Sequence, residues 1–472
     1  MKSKSKKLFF NTIIFFIGNF GAKIIQFLLV PLYTYTLTTE EYGIVELVLT
    51  TISFCIPIFS IQISDALLRF GLDKDYNKKD VLKVAFRILN IGSLVLLITI
   101  PFFRINSIIR TWSMYFFIIL NLRMYRDIFS INLKINEKNR LYAIDSILFT
   151  LVLCVSNIVY LVVLKKGIAG YFNSYIIANA LSIIFLLIVG NIKKDVYFGK
   201  CDKNLFKELV LYSIPMIVNS ISWWITNASD KYMIKWIMSE AEVGIYAVAT
   251  KIPTFLTTFI GIFNQAWIIS AISEYNDKEG NNDFYSEIYE KFIEISFISA
   301  CALILIVEPF MKLYVSSSFF IAWKYVPFLI LGAIFSGICS FFASIYYAYK
   351  KNINVTITTV IGACVNIVLN FFLIKKIGIM GAAVSTAFSW LLIVVFRVLF
   401  IKHFVDFKLY KKKLIINIVY LLIEIIAIVY MVEIYRFIVG LLILVLVLIN
   451  NKTILKDVAY KSKKIICGVK HG

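Results

Sequence analysis

A handful of charges stand inside stretches of this chain that are otherwise apolar: Lys23, Glu46, Arg123, Arg126, Asp127, Lys251 and Glu294. A charge at the centre of a bilayer costs about 2.5 to 3.5 kcal/mol on insertion scales, so those that persist face a partner or a water-filled path. Cations at such depth are ligands for an anion. Lys23 lies about 15 Å and Lys251 about 13 Å from the outer ends of their apolar stretches, too far for easy snorkelling to the interface. Pro253, two residues after Lys251, predicts a helix break that opens backbone groups. Arg123 and Asp127 stand at i, i+4, with Arg126 beside them as a second cation. That spacing is the spacing of a local salt bridge. Lys23, Lys251, Arg123 and Arg126 are therefore the candidate anion ligands.

The acids suggest gates and ion pairs. Glu46 is placed to pair with Lys23 of the neighbouring helix. Asp65 with Arg69 at the inner mouth, and Asp230 with Lys231 at the outer mouth, suit gates, although capping and interface solvation explain them equally well. Asp127 belongs with these pairing groups, and Glu294 and Glu46 are candidate ligands for a coupling cation. Arg87 and Arg397 lie near the inner face and are expected to snorkel. Glu424, in a later apolar stretch, has no assigned role. Trp223-Trp224, Trp323 and Tyr346-Tyr347 read as interfacial aromatics. The seven cysteines contain no C-x-x-C pair and the histidines are His403 and His471. Zinc and haem spacings are thus absent and no cofactor is expected. No catalytic constellation stands out.

The elements that position these residues follow from composition. Residues of the apolar set make up 60% of the 472, charged residues 16%, and mean hydropathy is +0.84. These values exclude a soluble globular enzyme and a disordered chain. The pattern predicts an all-α polytopic membrane protein with about fourteen spans of about 20 residues each. The last apolar run, Leu414 to Asn450, is hard to divide and leaves twelve or thirteen spans open, with a boundary expected near Arg436. The net charge of +21 has a topological reading. With the amino terminus inside, 32 of the 49 Lys and Arg fall on inner segments and 11 on outer ones. Both termini are therefore expected in the cytoplasm. The basic excess then serves orientation and anionic lipid rather than nucleic acid.

The chain also repeats itself at an offset of about 200 to 211 residues. Glu41-Tyr42-Gly43-Ile44 corresponds to Glu242-Val243-Gly244-Ile245, and Lys165-Lys166-Gly167-Ile168-Ala169-Gly170 to Lys375-Lys376-Ile377-Gly378-Ile379-Met380-Gly381. An even number of spans per repeat gives both the same orientation, related by a pseudo-two-fold axis along the membrane normal. The expected organisation is a first six-helix lobe over 1–204, a second over 205–402, and two further helices with a basic tail over 403–472. A substrate would sit between the lobes, and rocking would give alternating access.

Gly18-Asn19-Phe20-Gly21-Ala22-Lys23, Pro31-Leu32-Tyr33-Thr34 and Glu40-Glu41-Tyr42-Gly43 resemble the start of the polysaccharide flippases of the MOP superfamily, the Wzx-type O-antigen and capsule exporters. Leu67-Leu68-Arg69-Phe70, Ser229-Asp230-Lys231-Tyr232-Met233-Ile234 and Asn366-Ile367-Val368-Leu369-Asn370 look like later landmarks of the same family, so the resemblance spans about residues 8 to 400. It implies a bacterial plasma-membrane flippase, not an enzyme, that moves undecaprenyl-diphosphate-linked oligosaccharide from the inner to the outer leaflet. The anion for the cations is then the diphosphate. Partners implied are the polyprenyl-linked glycan, membrane lipid, and polymerase and assembly proteins, with coupling to a Na+ or H+ gradient. A lipid II-type or multidrug transporter of the same fold is the alternative, although a multidrug site for organic cations would be lined by acids. A membrane glycosyltransferase or polymerase fits less well, because the outer segments are short.

Overall fold

The computed structural model describes residues 21–190, 202–276, 281–349, 351–403, 405 and 408–452. The start of the expected first span (8–20), the basic amino-terminal segment, most of the expected inter-lobe loop and the basic tail from 453 lie outside the described residues. Every regular element among the described residues is helical.

The chain divides into two compact units, Met1–Ala247 and Val248–Gly472. In the first, α1 (residues 21–36) leads to α2 (Thr39–Phe59), short α3 (Ile63–Gly71), α4 (Lys78–Phe103), short α5 (Ser107–Thr111), α6 (Ser113–Ile135), α7 (Asn139–Asn157) with a π-helical extension (Ile158–Val163), α8 (Gly167–Val189) and α9 (Lys203–Ile237). α10 (Glu240–Ala249) follows at the boundary. Thr38 starts α2 with a capping box, which satisfies two helix-end donors reciprocally. Its hydroxyl accepts from the Glu41 amide at 3.1 Å, and the Glu41 carboxylate accepts from the Thr38 amide at 2.9 Å. α6 packs against α8, α4 and α3, and α9 against α2 and α3.

The second unit holds α11 (Lys251–Asn276), α12 (Asn281–Tyr314), a 3-10 segment (Ser317–Lys324), α13 (Val326–Ala348), α14 (Asn352–Ile377), α15 (Ile379–Ile401), α16 (Lys411–Tyr430) and α17 (Glu433–Asn450). Gly378 makes the α14–α15 turn at φ 62°. Side chains resist such a positive value, and glycine does not. α13 is the most enclosed helix, buried on nearly every face.

Among the described residues, eleven helices are long and apolar enough to cross a membrane, or twelve when α10 and α11 count as one broken span. α6 falls outside that number because it carries Arg123, Arg126, Asp127 and Lys134. By the helical rise it is nevertheless about 35 Å long, enough to cross. The protein is a multi-pass, all-helical membrane protein. The break at Thr250 falls where the sequence anticipates one. Pro253 occupies the first turn of α11, and its missing N–H cannot bond the carbonyl of Ala249 four residues back. The division of the last apolar run differs from expectation. The chain turns at Met431–Val432, both extended, so Arg436 lies in the first turn of α17 rather than between spans.

Candidate functional site

In the first unit the charged side chains gather in two places. On α2, Gly43 and its sequence counterpart Gly244 lie where α2 and α10 touch backbone to backbone. A Cβ on Gly43 would overlap the carbonyl of Glu240, and one on Gly244 the carbonyl of Thr39. One turn beyond, buried Glu46 accepts from Lys231 Nζ of α9 at 2.6 Å, and Lys231 also reaches the Thr50 hydroxyl at 3.4 Å. Trp224 Nε1–H donates to the Thr50 carbonyl at 3.0 Å, and the Tyr232 hydroxyl bonds Thr51. From the sequence, Glu46 is expected with Lys23 and Lys231 with Asp230. The structure brings Lys231 onto Glu46, while buried Asp230 accepts from the Tyr246 hydroxyl at 2.6 Å. Lys23 is exposed on α1.

The second gathering crosses α6, α7 and α8. Arg126 donates to Asp145 at 2.9 Å and to the Ser182 hydroxyl at 2.6 Å, and its guanidinium lies 4.0 Å from the centre of the Phe149 ring. Ser182 donates in turn to Asp145. In the sequence Arg126 counts as a spare cation. Its position on α6 turns it toward α7 and α8, where it is neutralised by Asp145, an acid with no role in the sequence analysis. Asp127 is exposed one turn from Arg123 on α6, and no ion pair joins the two among the described residues. Asp65 and Arg69 do not join each other. Asp65 accepts from Gln62 Nε2 at 3.1 Å, and Arg69 pairs with Asp73 at 3.0 Å on an exposed surface. Asp73 lies in the loop between α3 and α4, where the backbone amide of Asp75 and then Arg69 hold its carboxyl below the usual range. Donors and a cation favour the charged form of a carboxyl.

In the second unit Lys251, half-buried, opens α11 directly after the break. Glu294 is fully buried on α12 and bonds Lys413 of α16, which also donates to Glu290 at 2.7 Å. Lys413 is not legible as that partner, because it lies 119 residues away in sequence. Arg397 does not snorkel. It is 4% exposed and donates to the Thr358 hydroxyl at 3.1 Å, the Thr359 hydroxyl at 3.0 Å and the Cys339 carbonyl at 2.5 Å. The Tyr346 hydroxyl donates to the Arg397 carbonyl at 2.7 Å, and that bond draws this expected interfacial aromatic into the core. Trp323 is likewise buried, 5.0 Å from the guanidinium of Arg436, which pairs with Glu308 at 2.7 Å. Trp223, exposed, keeps an outward position. No cluster of three or more His, Cys, Asp or Glu that could hold a metal ion occurs among the described residues.

Ion pairs between apolar helices, one of them interrupted at Thr250, sit in a fold shared with solved membrane transporters. A lipid II flippase MurJ in an inward closed conformation superposes with a TM-score of 0.72 at 16% identity, covering 95% of this chain and 100% of that one. An inward-facing multidrug resistance MATE family transporter of the MOP superfamily superposes with a TM-score of 0.68 at 12% identity, covering 81% and 94%. Within that fold the chain belongs to the family described as "Polysaccharide biosynthesis protein", which it matches over residues 8–268. It is similar to a probable low-salt glycan biosynthesis flippase, Agl15 of Haloferax volcanii, at 25% identity over 209 residues. That alignment covers 43% of this chain and 43% of the relative, less than half of its length.

Proposed function

We propose that this protein is a flippase that carries a polyprenyl-diphosphate-linked oligosaccharide from the inner to the outer leaflet of a bacterial plasma membrane, for surface polysaccharide synthesis. The observation that carries this reading is membership of the polysaccharide biosynthesis family over residues 8–268. The similarity to a probable glycan biosynthesis flippase and the transporter fold support it. The head of such a lipid is a diphosphate with a hydrated glycan, and it needs a polar path while its tail stays in hydrocarbon.

Lys23, Lys251 and Arg123 supply the diphosphate's counter-charge in this reading. Arg126 holds α6 to α7 and α8 through Asp145 and so positions Arg123, one turn away on the same helix. Glu46 and Lys231 tie α2 to α9 while the path is closed at that end. The repeats over 1–204 and 205–402 rock against each other, as parallel repeats do in alternating access. Both termini lie in the cytoplasm, a placement that the Lys and Arg asymmetry supports.

The test is the leaflet exposure of lipid-linked sugar in cells that carry Lys23→Ala, Lys251→Ala or both. Accumulation of the sugar on the inner face, strongest in the double variant, is expected. Normal outer exposure in the double variant removes both lysines as required ligands, and normal exposure in cells lacking the protein removes the flippase reading itself.

A further inference from the structure

Glu424 lies on the face of α16 that meets α12 and α17, and it is fully buried. Neither of its carboxyl oxygens has a hydrogen-bond partner of good geometry among the described residues. The titratable group against it there is the thiol of Cys301 on α12. Its other surroundings are apolar: buried Leu421, Ile425 and Ile428 of its own helix, and Gly440, Ile443 and Val447 that α17 turns inward.

Other charged groups on the packed helices are engaged elsewhere. On α12, Glu290 and Glu294 hold Lys413 of α16, Lys291 pairs with Glu287, and Glu308 pairs with Arg436 of α17. On α13, the Cys339 thiol faces the Trp390 carbonyl and the Tyr346 hydroxyl donates to Arg397, while Tyr347 is exposed. Glu433 and Tyr435 are exposed at the start of α17.

A carboxylate left ionised in apolar surroundings, with a weakly donating thiol as its one polar neighbour and no counter-ion, is far costlier than the neutral acid, so such a group takes up a proton. A hard metal cation needs several oxygen ligands, and here Glu424 meets sulfur and hydrocarbon instead. A proton needs a single oxygen. We propose that Glu424 is a proton-binding site: a neutral carboxylic acid while the α12–α16–α17 seam is packed, which releases its proton to entering water when the seam opens.

Polar groups lie further along the same seam. Asn417 lies two helical turns nearer the start of α16. It bonds Asn450 at 2.9 Å and Asn451 at 3.0 Å. Lys413 with its two glutamates stands one turn further. The seam and the proton are thus linked: whatever loosens the packing favours release, and protonation favours the packed form. This site requires no particular transported substrate, so it stands apart from the flippase reading.

The test uses the full-length protein in lipid nanodiscs. Infrared difference spectra at pH 7 between wild type and Glu424→Gln should show the deuterium-sensitive carbonyl band of a protonated carboxylic acid, lost in the variant and shifted in Glu424→Asp. Its absence from wild type means that Glu424 is ionised and overturns the proposal. A second readout is the melting temperature from pH 5 to pH 8. A native-state acid that holds its proton above the ordinary glutamate range, about pH 4.3, costs stability as the pH climbs past that range. Wild type should therefore lose thermal stability across the window while Glu424→Gln stays flat; parallel profiles overturn the linkage.

Discussion

Arg126 in the first unit and Arg397 in the second are both guanidinium groups drawn away from water, and they are satisfied in opposite ways. Arg126 meets a buried carboxylate, Asp145, and a hydroxyl. Arg397 meets two hydroxyls and main-chain carbonyls, with no carboxylate among the described residues. The first arrangement is mutually dependent, because each charge is tolerable only while the other is present. The second is one-sided. The acceptors around Arg397 are helix carbonyls and threonine hydroxyls that bond within their own helices, so they do not need it. Burial alone therefore says little about what a charged residue contributes; the state of the partner left behind decides it.

The largest expected effect tests that contrast directly. Arg126→Met strands Asp145 and should cost about 3 to 5 kcal/mol in unfolding free energy, whereas Arg126→Met with Asp145→Leu should recover most of the loss. Arg397→Met should cost less than about 1.5 kcal/mol, since no charge is left unpaired. Denaturant titration of the purified protein in detergent measures all three, and equal costs for the two single variants would break the comparison.

A second contrast concerns glycines. Gly43 faces the carbonyl of Glu240, which is main chain, while Gly362 faces the tip of the Ile393 side chain. Gly43→Ala should cost about 1 to 3 kcal/mol, the range for forced overpacking, and Gly362→Ala less, because Ile393 can change rotamer. A similar fall in melting temperature for both would mean that the α2–α10 approach yields as easily as a side chain.

Glu46→Gln keeps a hydrogen-bond acceptor for Lys231 but removes its counter-charge. In the same titration it should fall below Arg126→Met, because the Lys231 side chain is 15% exposed and keeps some contact with solvent. The expected loss is about 1 to 2 kcal/mol, the scale of a buried polar group made incompletely satisfied. Smallest of all is Asp73, whose carboxyl is held low. Such a group contributes stability above its unfolded pKa and loses it as the pH falls through the folded value. This one is exposed, so Asp73→Asn should leave the melting temperature at pH 7 unchanged, and only acidification below the ordinary aspartate range, about pH 3.9, should free Arg69.

Helices were the legible part of the sequence, since runs of apolar residues report burial in lipid without reference to any neighbour. The apolar runs that become α4 (Lys78–Phe103) and α15 (Ile379–Ile401) are of this kind. The helix break before Pro253 was legible for the same local reason. Partnerships were not. Which way Arg126 points depends on the rotation of α6 against α7 and α8, and no local pattern encodes that angle. Asp145 could have been found as the acid in the next span able to answer an excess cation. Arg397 defeats the snorkelling expectation because nearness to a helix end is not access to the interface, and the hydroxyls of Thr358 and Thr359 on the adjacent helix outcompete water.

Where Gly43 meets Glu240, Gly244 meets Thr39. Glycine is separated from glycine, and Thr39 from Glu240, by the same 201 positions. The joint is therefore self-complementary, like the isologous face of a two-fold homodimer. Two copies of a single ancestral half would already have possessed both sides of it, and fusing them required no new surface at this crossing.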